Sequence, residues 1–159
     1  MVPPRDRDRE GRPKSARPRD AMGRPLARDA TPEISEEELP PDPDALLAIG
    51  VEHFNAGSYF LAHEAWETAW HPAPESERDF WQGITQVAVG FTHHQRGNTT
   101  GAVSLLRRGA SRLSAYEPVF RGFPVAVVAA AAIGTADAIE AGGAAATIEP
   151  PMIRLANRA

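Results

Sequence analysis

The sequence predicts an all-α protein: a compact bundle of about five helices, built from helical hairpins and preceded by a disordered tail. Three observations favour this class. Hydrophobic residues make up 42% of the 159 residues, and most of them follow position 44, so the body can bury a core. Glycine, proline and capping residues divide that body into pieces of helix length. No piece alternates with the two-residue period of a strand.

Residues 1–40 are rich in arginine and proline and are expected to be disordered, which leaves residues 41–159 for the helical domain. The tail lacks the apolar core of a secretory signal, and its acidic residues argue against a transit peptide, so a cytoplasmic location is expected. Residues 1–30 carry a net charge of +4 in a chain of net charge −4. Interleaved acids and missing aromatic residues nevertheless disfavour nucleic-acid binding.

The first predicted helix begins at Asp42 or Asp44, because aspartate caps helix N-termini, and it ends near Asn55, before Gly57. The second covers residues 58–70. Its first residue is a serine that can act as a cap, and the proline-rich connection that follows ends it.

The third predicted helix spans about residues 76–96, opened by a variant capping box of Ser76 with Asp79 and closed by Gly97. The fourth spans residues 100–116 and ends before a Glu-Pro pair.

The fifth predicted helix spans residues 124–140, with Pro124 in its first turn. Residues 122–136 are only apolar residues, Gly, Pro and Thr. A transmembrane helix needs about 20 such residues, and Asp137 and Glu140 interrupt this run. A buried packing helix is therefore expected, with no membrane partner.

A weak internal repeat relates the first two hairpins at a spacing of 40 residues. The matched pairs are Gly57 with Gly97, Ala62 with Ala102, and Trp66 with Leu106. Each half is a helix, a glycine turn and a second helix, an arrangement similar to tetratricopeptide hairpins. The repeat indicates either shared hairpin geometry alone or a scaffold that binds peptides.

The second helix carries polar groups on an aromatic face. His63, Glu67 and Trp70 lie within about 40° of one another around the helix, at 100° per residue. A carboxylate on such a face is costly to bury alone, so a cation, a hydrogen-bond donor or a metal is expected beside Glu67. Glu64 and His71 lie in the more exposed sector, and His71 and His53 are expected to be bystanders.

The third helix offers partners for these groups. Gln82, Gln86 and His93 lie on one line along it, and we expect this line to face His63 and Glu67, because buried polar groups need partners. His94 is the alternative to His93, and on its own apolar side it would need a separate partner. Gly83 and Gly90 form an adjacent line where another helix could approach closely.

These blocks resemble the uncharacterised all-helical family known as domain of unknown function 309, over about residues 45–115. The blocks are Phe54 to Trp70, Gln82 to Gln86, and His93-His94 with Gly97-Asn98 and Gly101-Ala102. The resemblance implies a small all-α domain without an assigned activity. It places family motif positions at Asn55, His63, Glu64, Glu67, Trp70, Gln82, Gly83 and His94, with His93 beside the last. It also implies that residues 150–153 pack back on the bundle.

Three functions are compatible with this sequence. The first is a pocket for a small ligand or a divalent metal. Its ligand-binding candidates are Asn55, His63, Glu67, Trp70, Gln82 and Gln86, and its metal-ligand candidates are His63, Glu67, His93 and His94. The second is a metal-dependent hydrolase with Glu64 and Glu67 as catalytic residues, although the His63-Glu64-x-x-Glu67 spacing ends in Glu rather than the His of zinc proteases.

The third possibility is a structural or peptide-binding helical scaffold without catalysis, in which the same polar groups form a satisfied network. The sequence contains no phosphate-binding loop and no serine-hydrolase elbow, which disfavours nucleotide-driven and serine-hydrolase chemistry. The absence of cysteine excludes a cysteine nucleophile and a thiolate zinc site.

Overall fold

A computed structural model describes residues 18–27, 29–33 and 38–156. Within these residues the chain forms five α-helices, one 3₁₀-helix and no strand, which confirms the all-α prediction. The helices are α1 (Pro43–Asn55), α2 (Tyr59–Trp70), α3 (Glu75–Gln95), α4 (Thr99–Leu113) and α5 (Val125–Gly142), and the 3₁₀-helix is Gly143–Ala145.

Each α-helix packs mainly on the next one along the chain, as expected of helical hairpins. The largest side chains of the core are fully buried and come from α1, α2, α3 and the loop before α5. They are Phe54, Trp66, Phe80, Trp81, Phe91 and Phe123. Edge-to-face contacts such as Phe54 with Phe91 and Trp66 with Phe123 join these elements, so one aromatic core holds the hairpins together.

The predicted glycine turn recurs at both hairpins. Gly57 and Gly97 have φ angles of 79° and 76°, a backbone conformation that suits glycine. The N–H of the following residue donates to a carbonyl in the last turn of the helix, from Ser58 to His53 and from Asn98 to His93, at 2.9 Å in each case. The two hairpins therefore share one helix-ending motif at a spacing of 40 residues.

The α3–α4 contact uses the predicted glycine line. A Cβ atom on Gly90 would lie 2.7 Å from Cγ of Leu106, and one on Gly109 would lie 2.7 Å from the backbone oxygen of Gly83. These distances are shorter than van der Waals contact, so the two backbones approach as closely as they do only because these positions lack side chains.

Two predicted helix ends were wrong. Helix α3 begins at Glu75 and has no side-chain cap, because Asp79 pairs with Arg112 of α4 at 2.6 Å instead of completing a capping box with Ser76. Helix α4 ends at Leu113 rather than at Tyr116. The Tyr116 ring packs against Phe80 and Phe120 outside the helix.

Helix α5 has one buried face, which includes Val128, Ala132 and Ile139, as expected of a packing helix. Its opposite face leaves Val127 and Ile133 58% and 48% exposed. By length and composition alone, Val125–Ala145 could also cross a membrane, and 33% of its apolar window is buried.

Residues 18–27 and 29–33 belong to a separate unit that precedes Glu38. The carboxylate of Asp20 accepts hydrogen bonds from the backbone N–H groups of Met22 and Arg24 and from the Arg24 side chain, at 2.7 to 3.0 Å. The tail prediction did not include this turn. The rest of the predicted tail up to Glu37 lies outside the described residues.

Candidate functional site

Helix α2 brings His63 and Glu67 together one turn apart. Nε2 of His63 lies 3.2 Å from Oε2 of Glu67, and the two side chains are 18% and 42% exposed. Nδ1 of His63 lies 2.6 Å from the carbonyl oxygen of Phe60, and a carbonyl can only accept, so Nδ1 carries a proton.

His71 extends this polar line by one more turn. Its Nε2 lies 3.7 Å from Oε1 of Glu67, a contact that the prediction of His71 as a bystander did not include. The reason is helical spacing, because residues 63, 67 and 71 are four apart and the backbone stays helical through His71. Glu64 lies beside this line, half-buried.

Trp70 lies at the end of α2, where the guanidinium of Arg78 stands 5.5 Å from its ring centroid. Its indole Nε1 is buried and has no hydrogen-bond partner among the residues that the structure describes. The same part of the chain contains no group of three or more His, Asp or Glu side chains arranged to hold a metal ion.

The predicted contact of Gln86 and His93 with His63 and Glu67 was wrong. Oε1 of Gln86 accepts a hydrogen bond from Nε of Arg112 in α4 at 3.1 Å. His93 also faces α4, because a Cβ atom on Gly101 would lie 3.1 Å from its Cγ. The glycine line of α3 lies next to the glutamine line, so the helix that closes over the glycines also covers these polar residues.

The geometry around His93 favours its neutral form. Oδ1 of Asn98 accepts from the N–H of Gly101 at 3.0 Å, which turns the Asn98 amide nitrogen toward Nδ1 of His93, also at 3.0 Å. Nδ1 must then accept. Burial and, after it, the positive charge of Arg96 lower the pKa of His93.

The remaining α3 candidates are Gln82 and His94, both half-buried. Nδ1 of His94 is buried without a hydrogen-bond partner among the described residues. The sequence predicted that His94 would need its own hydrogen-bond partner, and Nδ1 has none among the described residues.

Asn55, at the end of α1, holds the backbone of a residue 98 positions away. Its Nδ2 donates to the carbonyl oxygen of Ile153 at 2.8 Å, and its Oδ1 accepts from the N–H of Ile153 at 2.9 Å. We call this pair of hydrogen bonds the Asn55 clamp. The Ile153 side chain is 2% exposed and belongs to the hydrophobic core.

The C-terminal segment (residues 146–156) has no helix or strand of its own and packs back on the helices, as the resemblance implied. Ile153 points into the core and Leu155 packs against it, whereas Met152 and Arg154 are exposed. This alternation is that of an extended chain. The N–H of Ala156 then donates to the carbonyl oxygen of Gly122 at 2.8 Å, so the segment is held at two points.

Arg121, next to the second holding point, was missed by the sequence reasoning. Its guanidinium pairs with Asp44 of α1 and Glu77 of α3, at 2.7 Å each, and stands over the Trp81 ring. Its φ of 51° is uncommon for a residue other than glycine. The available signal was its position as a lone cation immediately before the long apolar run.

Comparisons with known proteins agree with the helical core. Residues 47–105 match the family described as "Domain of unknown function (DUF309)". The "Uncharacterized protein YpuF" of Bacillus subtilis (strain 168) is 36% identical over 74 residues, which are 46% of this chain and 42% of the relative. No solved structure matches the chain. The resemblance predicted from the sequence is thus confirmed by a match to the DUF309 family model that runs from within α1 to within α4, and the chain spans less than half the length of this relative.

Proposed function

We propose that the helical unit is a non-catalytic scaffold that binds extended peptide segments through the Asn55 clamp. The observation that carries this proposal is the pair of hydrogen bonds between one side-chain amide and both backbone groups of Ile153. In a pair of β-strands, the backbone of one residue likewise donates to the C=O group and accepts from the N–H group of the residue opposite. An asparagine placed in this way recognises an extended backbone whatever side chains it carries, and neighbouring apolar surface adds selectivity.

The hairpin architecture supports the same function. Stacked helical hairpins present continuous surfaces on which extended segments bind, and the two hairpins here repeat their turns at a spacing of 40 residues. Asn55 is also one of the family motif positions that the resemblance implied, and it is among the ligand-binding candidates of the pocket hypothesis.

The test uses the full chain with the change Ile153→Asp, which disfavours burial of its own segment, and a fluorescein-labelled peptide of residues 148–156. We expect saturable binding by fluorescence anisotropy. Adding Asn55→Ala should weaken it at least about tenfold, or about 1.4 kcal/mol. Met152→Asp is the matched control for Ile153→Asp. Because Met152 is 62% exposed, this change should leave the chain's own segment in place and the peptide affinity at the wild-type value. Circular dichroism checks that each variant is folded, and a folded Ile153→Asp chain that does not bind the peptide refutes the proposal.

A ligand or metal site at His63 and Glu67 is the second candidate function, favoured by one observation. Nδ1 of His63 donates to a backbone carbonyl, which is how metal-binding histidines are commonly oriented. Elemental analysis of protein purified without a metal-affinity tag tests it. Stoichiometric metal that disappears with His63→Ala supports this site, and protein without stoichiometric metal under varied growth conditions argues for the scaffold alone.

A further inference from the structure

Building on the proposed function, we infer which partner the Asn55 clamp takes and how access to it is regulated. The partner is an extended segment with two aliphatic residues spaced two apart, following a proline pair. It binds only when the chain's own C-terminal segment has left the site.

The side-chain pattern of the C-terminal segment defines the partner. Ile153 and Leu155 point toward the helices, and Ile153 is almost fully buried. Residues two apart in an extended chain lie on the same side, so a partner needs aliphatic side chains at both positions. Met152 and Arg154 are exposed and are free to vary.

The proline pair prepares the backbone for binding. Pro150 and Pro151 directly precede this pattern. Proline fixes φ near −65°, and it biases the residue before it toward extended conformations. A segment that is already extended loses less conformational entropy when it binds.

At the second holding point, the backbone of the segment lies directly against Gly122. The backbone N–H of Ala156 donates to Gly122, and a Cβ atom on Gly122 would lie only 3.2 Å from the Ala156 carbonyl oxygen. The two chains therefore approach closely here. Three residues of extended chain, about 10 Å, separate this point from the Asn55 clamp.

The internal segment and an external peptide cannot be held at the same time. The Asn55 amide donates to and accepts from one residue, Ile153, whose side chain fills the adjacent space. A short connection from α5 through Gly142 and Gly143 tethers the internal segment. Short linkers give effective concentrations in the millimolar range, so an external peptide with a Kd of about 10 µM should bind roughly 10²-fold more weakly in competition.

A reversible lock tests this competition in the full chain. The Ala156 Cβ atom lies 4.0 Å from the position of a Cβ atom on Gly122, within the range that a disulfide spans. The chain has no cysteine, so Gly122→Cys with Ala156→Cys creates a single pair. Dithiothreitol opens the lock, and any strain at position 122 is common to both states.

The probe is the labelled peptide of residues 148–156, measured by fluorescence anisotropy. We expect no binding to the oxidised double variant, and binding as weak as that of the wild type after reduction, because the reduced chain keeps its own competing segment. The Ile153→Asp chain should bind at least about tenfold more tightly than the wild type. If the peptide binds equally well to the oxidised and reduced double variant, and equally well to Ile153→Asp and wild type, then the internal segment does not compete with it. That result would refute the inferred regulation and leave the proposed function intact. If folded Ile153→Asp chain and reduced double variant both fail to bind, the proposed function itself is wrong.

Peptide variants test the partner pattern separately. Asp in place of Ile153 or Leu155 in the peptide should abolish binding to the Ile153→Asp chain, whereas Asp in place of Met152 should leave the affinity within about threefold. A peptide that loses affinity equally at all three positions would refute the proposed spacing.

Discussion

Asn55 makes the contact on which the proposed function depends, and its removal has a measurable cost. Asn55→Ala leaves the N–H and C=O groups of Ile153 without their partners. An unsatisfied buried polar group costs about 1–3 kcal/mol, so we expect a loss of this size in the free energy of unfolding, measured with urea. Met152→Ala, at an exposed position, should change it by less than about 0.5 kcal/mol. A loss below that limit in Asn55→Ala would contradict the clamp.

His93 should make stability depend on pH. Its pKa in the folded protein is lowered from the usual 6.5, mainly by burial and then by Arg96. As the pH falls below 6.5, the unfolded chain takes up a proton that the folded chain resists. Stability is therefore fully present above this pH and falls toward the lowered folded pKa.

His93→Gln removes this proton-linked loss. The stability difference between wild type and His93→Gln, from urea unfolding at pH 8 and pH 5.5, should shift in favour of the variant at the lower pH. An unchanged difference would show that the folded and unfolded chains bind this proton equally.

The His63–Glu67 pair should contribute little to stability, because the Glu67 side chain is 42% exposed. Partly exposed ion pairs contribute about 0–1 kcal/mol. Glu67→Gln should accordingly lower the free energy of unfolding by less than about 1 kcal/mol, with Asp137→Asn of the exposed Arg107 pair as the comparison. A loss of several kcal/mol would reveal a buried network around Glu67.

At the scale of helices, close packing of α3 on α4 depends on glycine. Gly109→Ala places a Cβ atom 2.7 Å from the backbone oxygen of Gly83, and overpacking of this kind costs about 1–3 kcal/mol. Gly134→Ala is the matched control in α5, where nothing lies within 4 Å. It should stabilise by up to about 1 kcal/mol through helix propensity. The melting temperatures of both variants measure these effects. Equal shifts in melting temperature would contradict a tight α3–α4 contact.

The sequence predicted the helices well where local signals act alone. Asp42 caps α1 through its side chain, and the glycine turns end α1 and α3. The prediction that Ser76 caps α3 was wrong, because contacts with residues distant in sequence determine where α3 begins. Its carbonyl oxygen accepts from Tyr116, 40 residues away.

The candidate site was less predictable, for a geometric reason. Helical periodicity fixes which residues of α3 share a line, but it does not say which neighbouring helix covers that line. Gln86 and His93 were correctly grouped and then assigned to α2 instead of α4. The partner of Asn55 lies 98 positions away, beyond the reach of any periodic pattern.

At the scale of the molecule, the helical unit begins at Glu38, and Leu39 packs against its core. A chain of residues 38–159 should therefore melt within about 2 °C of the full chain, because it contains every described residue of the hydrophobic core. Differential scanning calorimetry measures this.

A chain of residues 41–159 serves as the control for this truncation, since it also lacks Leu39. It should melt at a lower temperature than the chain of residues 38–159. A drop of many degrees on removing only residues 1–37 would show that those residues stabilise the helices.

The Asn55 clamp also sets an order of events in folding. Helices that pack on their sequence neighbours form contacts of short sequence separation, which favours fast folding. Closing a loop of 98 residues costs more chain entropy, so the clamp should form after the hairpins and open before them. In native-state hydrogen exchange, the Ile153 amide should then exchange through a partial opening, at a lower free energy than the amides of α3. The last contact to form would be the one through which the folded protein meets its partner.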